Sequence, residues 1–196
     1  MVVQKTVRIA LCTAVVVMAP ACASQSGAFL HMSATEHEAA AHSVSDPALA
    51  QQHEEAAQRM HSQEAALCYG ISEADRDRGP LANTGEVTSV EIVRDRGLFP
   101  KGPLVPVGVA VDLRAESGMT EQWLGRVVAC HMAHVAVVGR DRFPGPLEVP
   151  DAQASVSSTG VGFRVTITSR DSDVAKSVVT RGKELALASS VPVAAY

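Results

Sequence analysis

The sequence has 196 residues, of which 46% are hydrophobic and 19% are charged, and its formal charge at pH 7 is −4. All 21 acidic residues lie beyond Ala21, whereas two of the 17 basic residues, Lys5 and Arg8, precede it. The chain after that point therefore has 15 basic residues against 21 acidic ones, a balance of −6. This charge argues against a nucleic-acid-binding protein, which concentrates basic residues on one face. It also argues against a protein that charge alone holds on anionic lipid.

The N-terminus has the layout of a secretory signal. Lys5 and Arg8 form a positive region, an apolar stretch covers residues 9–19, and small residues follow it. The apolar stretch is shorter than the roughly 20 residues that a membrane-spanning helix needs. We therefore predict a signal peptide at residues 1–21 and no transmembrane segment in the mature protein.

Two ways of processing this signal compete. Ala19 and Ala21 suit an ordinary signal peptidase, whereas Cys22 suits lipoprotein processing, in which the cysteine sulfur receives a diacylglycerol. Pro20 departs from the usual lipobox, and Ala23 is typical of an outer-membrane address. We predict that Cys22 is lipidated and that the lipid anchors the protein in the outer membrane, facing the periplasm. The alternative is a soluble secreted or periplasmic protein.

The first part of the mature chain is predicted to be a tether and a stalk. Residues 22–46 are rich in Ala, Ser, His and Glu, which favours a flexible tether with a transient helix after Ser33. Asp46 and Pro47 then form a helix start, and Gly70 follows the expected end. Residues 47–70 are thus predicted to form a stalk helix, and their thin apolar stripe predicts light packing.

Residues 71–196 are predicted to form a small α+β domain. After a loop at 72–83, the patterns predict strands at 86–94 and 107–114, a helix at 121–139, a hairpin of strands at 154–158 and 161–168, a helix through about Ala188, and a short strand at 191–195. This order predicts an antiparallel sheet with two helices on one face, a ferredoxin-like (split βαβ) arrangement. The first strand would be an additional or permuted edge.

Three segments carry a resemblance to known proteins. They are Ala-Ala-Leu-Cys-Tyr-Gly-Ile-Ser-Glu-Ala-Asp-Arg-Asp at 65–77, Gly-Met-Thr-Glu-Gln-Trp-Leu at 118–124 and Arg-Val-Val-Ala-Cys-His at 126–131. Together they resemble a group of uncharacterised bacterial predicted lipoproteins with an Ala/Glu/His-rich helix followed by a small domain. The resemblance covers most of the mature chain and implies a lipoprotein, and it implies no catalytic residue. Pro20 departs from the more ordinary lipobox of that group.

The four cysteines have different predicted fates. Cys12 leaves with the signal and Cys22 takes the lipid, so Cys68 and Cys130 remain as an even pair in an oxidising compartment. We predict a disulfide between Cys68 and Cys130, which would join the end of the stalk helix to the main helix of the domain.

Two histidines lie on the apolar face of the helix at 121–139. At 100° per residue, His131 and His134 share this face with valine and leucine, so we expect both to be core residues with hydrogen-bond partners. The alternative is a Cu(I) or Zn(II) site formed by His131, His134, Cys130 and Cys68. The metal and disulfide hypotheses exclude each other, because a disulfide sulfur is not a thiolate ligand.

The common catalytic signatures are absent from the sequence, including a Gly-x-Ser-x-Gly elbow, a phosphate-binding glycine loop and His-Glu-x-x-His. We predict a non-catalytic envelope lipoprotein without a cofactor, whose periplasm-facing domain binds or scaffolds an envelope protein or a small ligand. One alternative is periplasmic copper or zinc binding, to which further histidines could contribute, and another is an enzyme with an unrecognised site. The further histidines are His31, His37, His42, His53 and His61.

Overall fold

The computed structural model of the protein describes residue 29 and residues 31–96, 102–139 and 144–195. The predicted signal peptide, the lipidation site Cys22 and the beginning of the predicted tether lie outside the described residues. The described chain from His31 onward belongs to one structural unit.

Five helices and five strands make up this unit. The helices are α1 (Ala34–Ser43), α2 (Pro47–Leu67), α3 (Glu73–Arg78), α4 (Glu121–Val138) and α5 (Ser172–Ala188). The strands are β1 (Val87–Asp95), β2 (Val105–Arg114), β3 (Gln153–Ser158), β4 (Gly162–Thr168) and β5 (Val193–Ala195). Short 3₁₀ turns at Thr84–Glu86 and Pro146–Glu148 precede β1 and β3.

The strands form one sheet in the order β3-β4-β2-β1-β5. Neighbouring strands from β3 to β1 are antiparallel, and β5 is parallel to β1. Helix α4 connects β2 to β3 with β4 between them, which is a split βαβ crossover. The predicted α+β class with an antiparallel sheet is confirmed. The prediction that β1 lies at an edge is wrong, because β5 pairs with the outer side of β1 through Val90 and Val193.

The hydrophobic core lies between one face of the sheet and helices α4 and α5. Alternate residues of β4 point into it, since Phe163, Val165 and Ile167 are buried while their neighbours are partly exposed. Leu124 of α4 and Val178 of α5 belong to the same buried cluster. Burial of a side chain of this size contributes about 1.5–3 kcal/mol, so this layer fixes where α4 lies.

The opposite face of the sheet is polar. Arg164 of β4 donates two hydrogen bonds of 2.7 Å to Asp112 of β2 and lies 3.1 Å from Glu91 of β1. The hydroxyl of Ser89 also donates to Asp112. The hydrogen bonds from Arg164 hold the pKa of Asp112 below its usual value, and the network links the three central strands.

Helix α1 occupies part of the segment that the composition predicts to be a flexible tether. A full capping box begins it: the Glu36 amide donates to the Ser33 hydroxyl, and the Ser33 amide donates to the Glu36 carboxylate. Ala34 and Ala41 are buried, and α1 packs against α2. The absence of large apolar residues therefore does not prevent α1 from packing on α2, because small alanine side chains let the two helices approach closely.

Helix α2 contacts α1 and also α4, and its buried residues are His53, Ala56 and Ala57. It begins where the sequence predicts, with the Asp46 side chain accepting a hydrogen bond from the Ala48 amide, and Cys68 ends it. No helix within the described residues is both long and apolar enough to cross a membrane.

Helix α3 lies within the stretch predicted to be a loop. The Ser72 hydroxyl caps it by accepting from the Asp75 amide, and acidic residues fill its first turn. Its polar sequence has no apolar stripe, and none of its residues is buried. This lack of hydrophobic periodicity is why the pattern did not indicate a helix.

Candidate functional site: histidines and carboxylates around helix α4

Helix α4 lies between the sheet and the other helices. The Thr120 hydroxyl caps its start by accepting from the Trp123 amide, and Gly139, with a φ of 93°, ends it. Leu124 and Val128 pack into the core under the sheet. Residues further along the helix, including Cys130, His131 and His134, are also buried. The core position predicted for both histidines is thus confirmed.

The predicted disulfide between Cys68 and Cys130 is present. The two sulfur atoms are 2.08 Å apart, and the Cα atoms are 4.6 Å apart. Cys68 is the C-cap residue directly after Leu67, the last residue of α2, and Cys130 lies in the middle of α4. The bridge therefore fixes the end of α2 directly beside the two buried histidines.

His131 makes two hydrogen-bonded contacts and is only 1% exposed. Its Nδ1 atom lies 2.9 Å from the carbonyl oxygen of Arg76, and its Nε2 atom lies 2.9 Å from Oε1 of Glu148. A carbonyl oxygen only accepts, so Nδ1 carries the proton that it donates to Arg76. A second proton lies on either Nε2 or Oε1 of Glu148, because two unprotonated acceptor atoms do not form a hydrogen bond with each other.

Glu148 is itself buried, in the 3₁₀ turn before β3. Its Oε2 atom has no hydrogen-bond partner among the described residues. A buried carboxylate is costly unless it is paired, and here Oε1 is paired with His131. The histidine is therefore what makes the burial of this carboxyl group tolerable.

His134 lies one turn further along α4 and also faces carboxylates. Its Nδ1 atom is 2.6 Å from Oε1 of Glu64 on α2, and its Nε2 atom is 3.4 Å from Oδ1 of Asp77 on α3. A hydrogen bond from Arg76 is the main reason why the pKa of Asp77 is lowered, and His134 and His131 lower it further. The two histidines thus connect α4 to α2, to α3 and to the 3₁₀ turn.

Gly79 is required where the chain passes His131. Its φ of 71° and ψ of 157° belong to a backbone region that is almost restricted to glycine. A Cβ atom at this position would lie 2.6 Å from the His131 ring, which its two hydrogen bonds hold in place. The lack of a side chain at Gly79 therefore allows both the backbone conformation that ends α3 and the observed position of the His131 ring.

The alternative metal site at His131, His134, Cys130 and Cys68 is not assembled. Both sulfur atoms belong to the disulfide, so no thiolate is available. The ring nitrogens of His131 face a carbonyl and a carboxyl group, and those of His134 face two carboxylates. Among the described residues, no three or more His, Cys, Asp or Glu side chains are arranged to hold a metal ion.

The sequence did not indicate the partners of the two histidines. Glu148 is 17 residues from His131 along the chain, and Glu64 is 70 residues from His134. Asp77 lies between Arg76 and Arg78 and pairs with Arg76 at 2.6 Å. The sequence indicated only that buried imidazoles need hydrogen-bond partners, and it did not identify those partners.

Two surface grooves flank the cluster without containing it. One, of about 310 Å³, lies between α2 and α4 and is mostly apolar, with Met60, Leu67 and Met132 among its lining residues. A second, of about 540 Å³, lies beside α5 and is lined by both basic and acidic side chains, including Lys176 and Glu184. Neither groove is lined by His131 or His134.

We expect the disulfide to be present in native protein and to stabilise it. Non-reducing peptide mapping should join the peptides of Cys68 and Cys130. By chain entropy the bridge contributes about 4 kcal/mol, so reduction should lower the melting temperature by roughly 10 °C. Two alkylatable thiols in never-reduced protein would refute the bridge.

We expect Gly79→Ala to destabilise the protein more than Gly139→Ala. Gly139 also ends a helix and has nearly the same backbone angles, φ 93° and ψ 155°, but a Cβ atom there would meet only Ser33 at 3.8 Å. Both variants carry the backbone strain, and only Gly79→Ala also displaces His131, which adds about 1–3 kcal/mol. Chemical denaturation measures the difference, and equal losses would show that the His131 ring is not held in place.

No protein-family model, no curated protein and no solved structure matches the chain.

Proposed function

We propose that the protein is a non-catalytic lipoprotein of the cell envelope, anchored through Cys22, whose domain binds or scaffolds a partner in the periplasm. The sequence supports the anchor through the short apolar signal and the cysteine that follows it. The geometry of the domain supports the non-catalytic part.

The observation that carries this proposal is the internal use of the reactive side chains around α4. A general base needs a nitrogen or oxygen within hydrogen-bond reach of a substrate. His131 is almost fully buried and faces Arg76 and Glu148 instead, and Cys130 is bonded to Cys68. These groups join secondary-structure elements to one another, which is the role expected of a structural cluster.

The surface beside α2 and α4 suits a protein partner. The apolar groove between the two helices is lined by alanine, methionine and leucine, and Tyr69 at the end of α2 is 83% exposed. Trp123 on α4 is also exposed. Aromatic side chains of this kind are enriched at the centres of protein interfaces. This enrichment favours a role for Tyr69 and Trp123 in binding a partner.

The anchor is tested with Cys22→Ser and the matched control Cys12→Ser, which changes a cysteine inside the predicted signal. In cells supplied with radiolabelled palmitate, Cys22→Ser should lose the label and move to the soluble periplasm, because no acyl chain remains to insert. Cys12→Ser should keep both the label and the membrane association.

Two results would contradict the proposal. One is a Cys22→Ser protein that remains labelled and sediments with membranes. The other is a wild-type protein that takes up no palmitate and fractionates as soluble periplasmic protein.

A further inference from the structure

A second pair of buried histidines joins α1 to α2. His37 on α1 is 1% exposed, and His53 on α2 is 6% exposed. Their Nδ1 atoms are 2.8 Å apart, and the two rings are tilted by 50° with centroids 5.1 Å apart. This contact is a buried polar interaction between the two helices, whose other buried residues include the alanines Ala34, Ala41 and Ala57.

The contact depends on the protonation state of the two rings. One Nδ1 atom donates a proton to the lone pair of the other, so at least one ring is unprotonated at this atom. If both rings became charged, two N–H groups would point at each other and two positive charges would lie in a buried contact. The hydrogen bond therefore exists only while one of the imidazoles remains neutral.

Other charged groups act on this pair from both helices. Burial is the main reason why the pKa of His37 is lowered from its ordinary value of 6.5, and His53 lowers it further. Glu36 of α1 raises it and Arg59 of α2 lowers it. The residues of α4 in the neighbouring apolar cluster, Val137 and Val138, are uncharged.

We propose that His37 and His53 form a proton-operated latch that holds α1 on α2 at neutral pH and releases it when the surrounding solution becomes acidic. The stabilisation from His37 is complete above pH 6.5, the value in the unfolded chain, because there the ring is neutral in both states. It is lost as the pH falls below 6.5, because the unfolded chain then binds a proton that the folded contact disfavours.

Release is confined to α1 for two reasons. A helix of ten residues is marginal on its own, and α1 buries only small side chains besides His37. The α4 histidines instead contact the carboxyl groups of Glu148 and Glu64. One contact opposes release, since His61 on α2 lies 2.9 Å from Glu38 on α1, but both side chains are about half exposed and the pair is weak.

Release of α1 would lengthen the link between the domain and the membrane. Ten helical residues span about 15 Å, whereas the same residues fully extended span about 35 Å. This consequence rests on the proposed lipid anchor at Cys22. The latch itself does not, so the two proposals can fail separately.

The test is amide hydrogen exchange of the full-length purified protein, expressed as protection factors, between about pH 7.5 and about pH 3.5. In the wild type, peptides covering residues 33–43 should lose at least tenfold protection with a midpoint below pH 6.5, while α5 remains protected. His37→Gln should remove this dependence, because a glutamine oxygen can accept a hydrogen bond from a charged His53. His42→Gln, which changes an exposed histidine of the same helix, should behave as the wild type.

The wild-type profile decides the proposal even if a variant does not fold. Unchanged protection of residues 33–43 at pH 5 would overturn it. A midpoint near 4.3 would also overturn it, since that value identifies a glutamate such as Glu36 in the capping box. If α1 of the His37→Gln variant is already unprotected at neutral pH, His53→Gln is tested instead. In either variant, an α1 that is protected at neutral pH and still loses protection in acid would refute the latch.

Discussion

The burial of two histidines on α4 is the constraint on which the arrangement of the helices depends. Each imidazole loses its hydration when α4 packs between the sheet and α2, so each needs partners from the protein. His131 finds them at Arg76 and Glu148, and His134 finds them at Glu64 and Asp77. These partners come from α2, α3 and the 3₁₀ turn before β3. The same contacts that satisfy the rings therefore determine where three other elements lie.

The sequence predicted the elements whose signals are local. The cap at Asp46 and the alternating strands were identified, since each depends on neighbouring residues. Helix α1 was predicted only as a transient helix, because it packs through alanines. Helix α3 was predicted to be a loop, because it has no apolar stripe. Periodicity also placed His131 and His134 in the core, and the compartment argument paired the cysteines. The carboxylate partners could not be predicted, because chain folding alone brings together residues up to 70 positions apart.

The two buried histidine pairs differ in what faces the imidazole. Around α4 the rings face carboxyl groups, which accept a charged ring, whereas His37 and His53 face each other. Acidification is thus expected to weaken the contact of α1 with α2. In the proposed lipoprotein, the stable part would carry the binding surface near Tyr69, and the sensitive part would lie towards the anchor. One amino-acid type serves as a structural link in one place and as a pH-dependent contact in the other.

The central claim is that His131 and Glu148 act as one structural unit, and a double-mutant cycle tests it most directly. His131→Leu, Glu148→Leu and the double variant would be compared with the wild type by chemical denaturation. Each single change leaves a buried group without its partner, whereas the double change removes the pair, so the account predicts a coupling free energy of about 1–3 kcal/mol. Losses that add to within about 0.5 kcal/mol would contradict it, because they would show that the two side chains stabilise the fold independently.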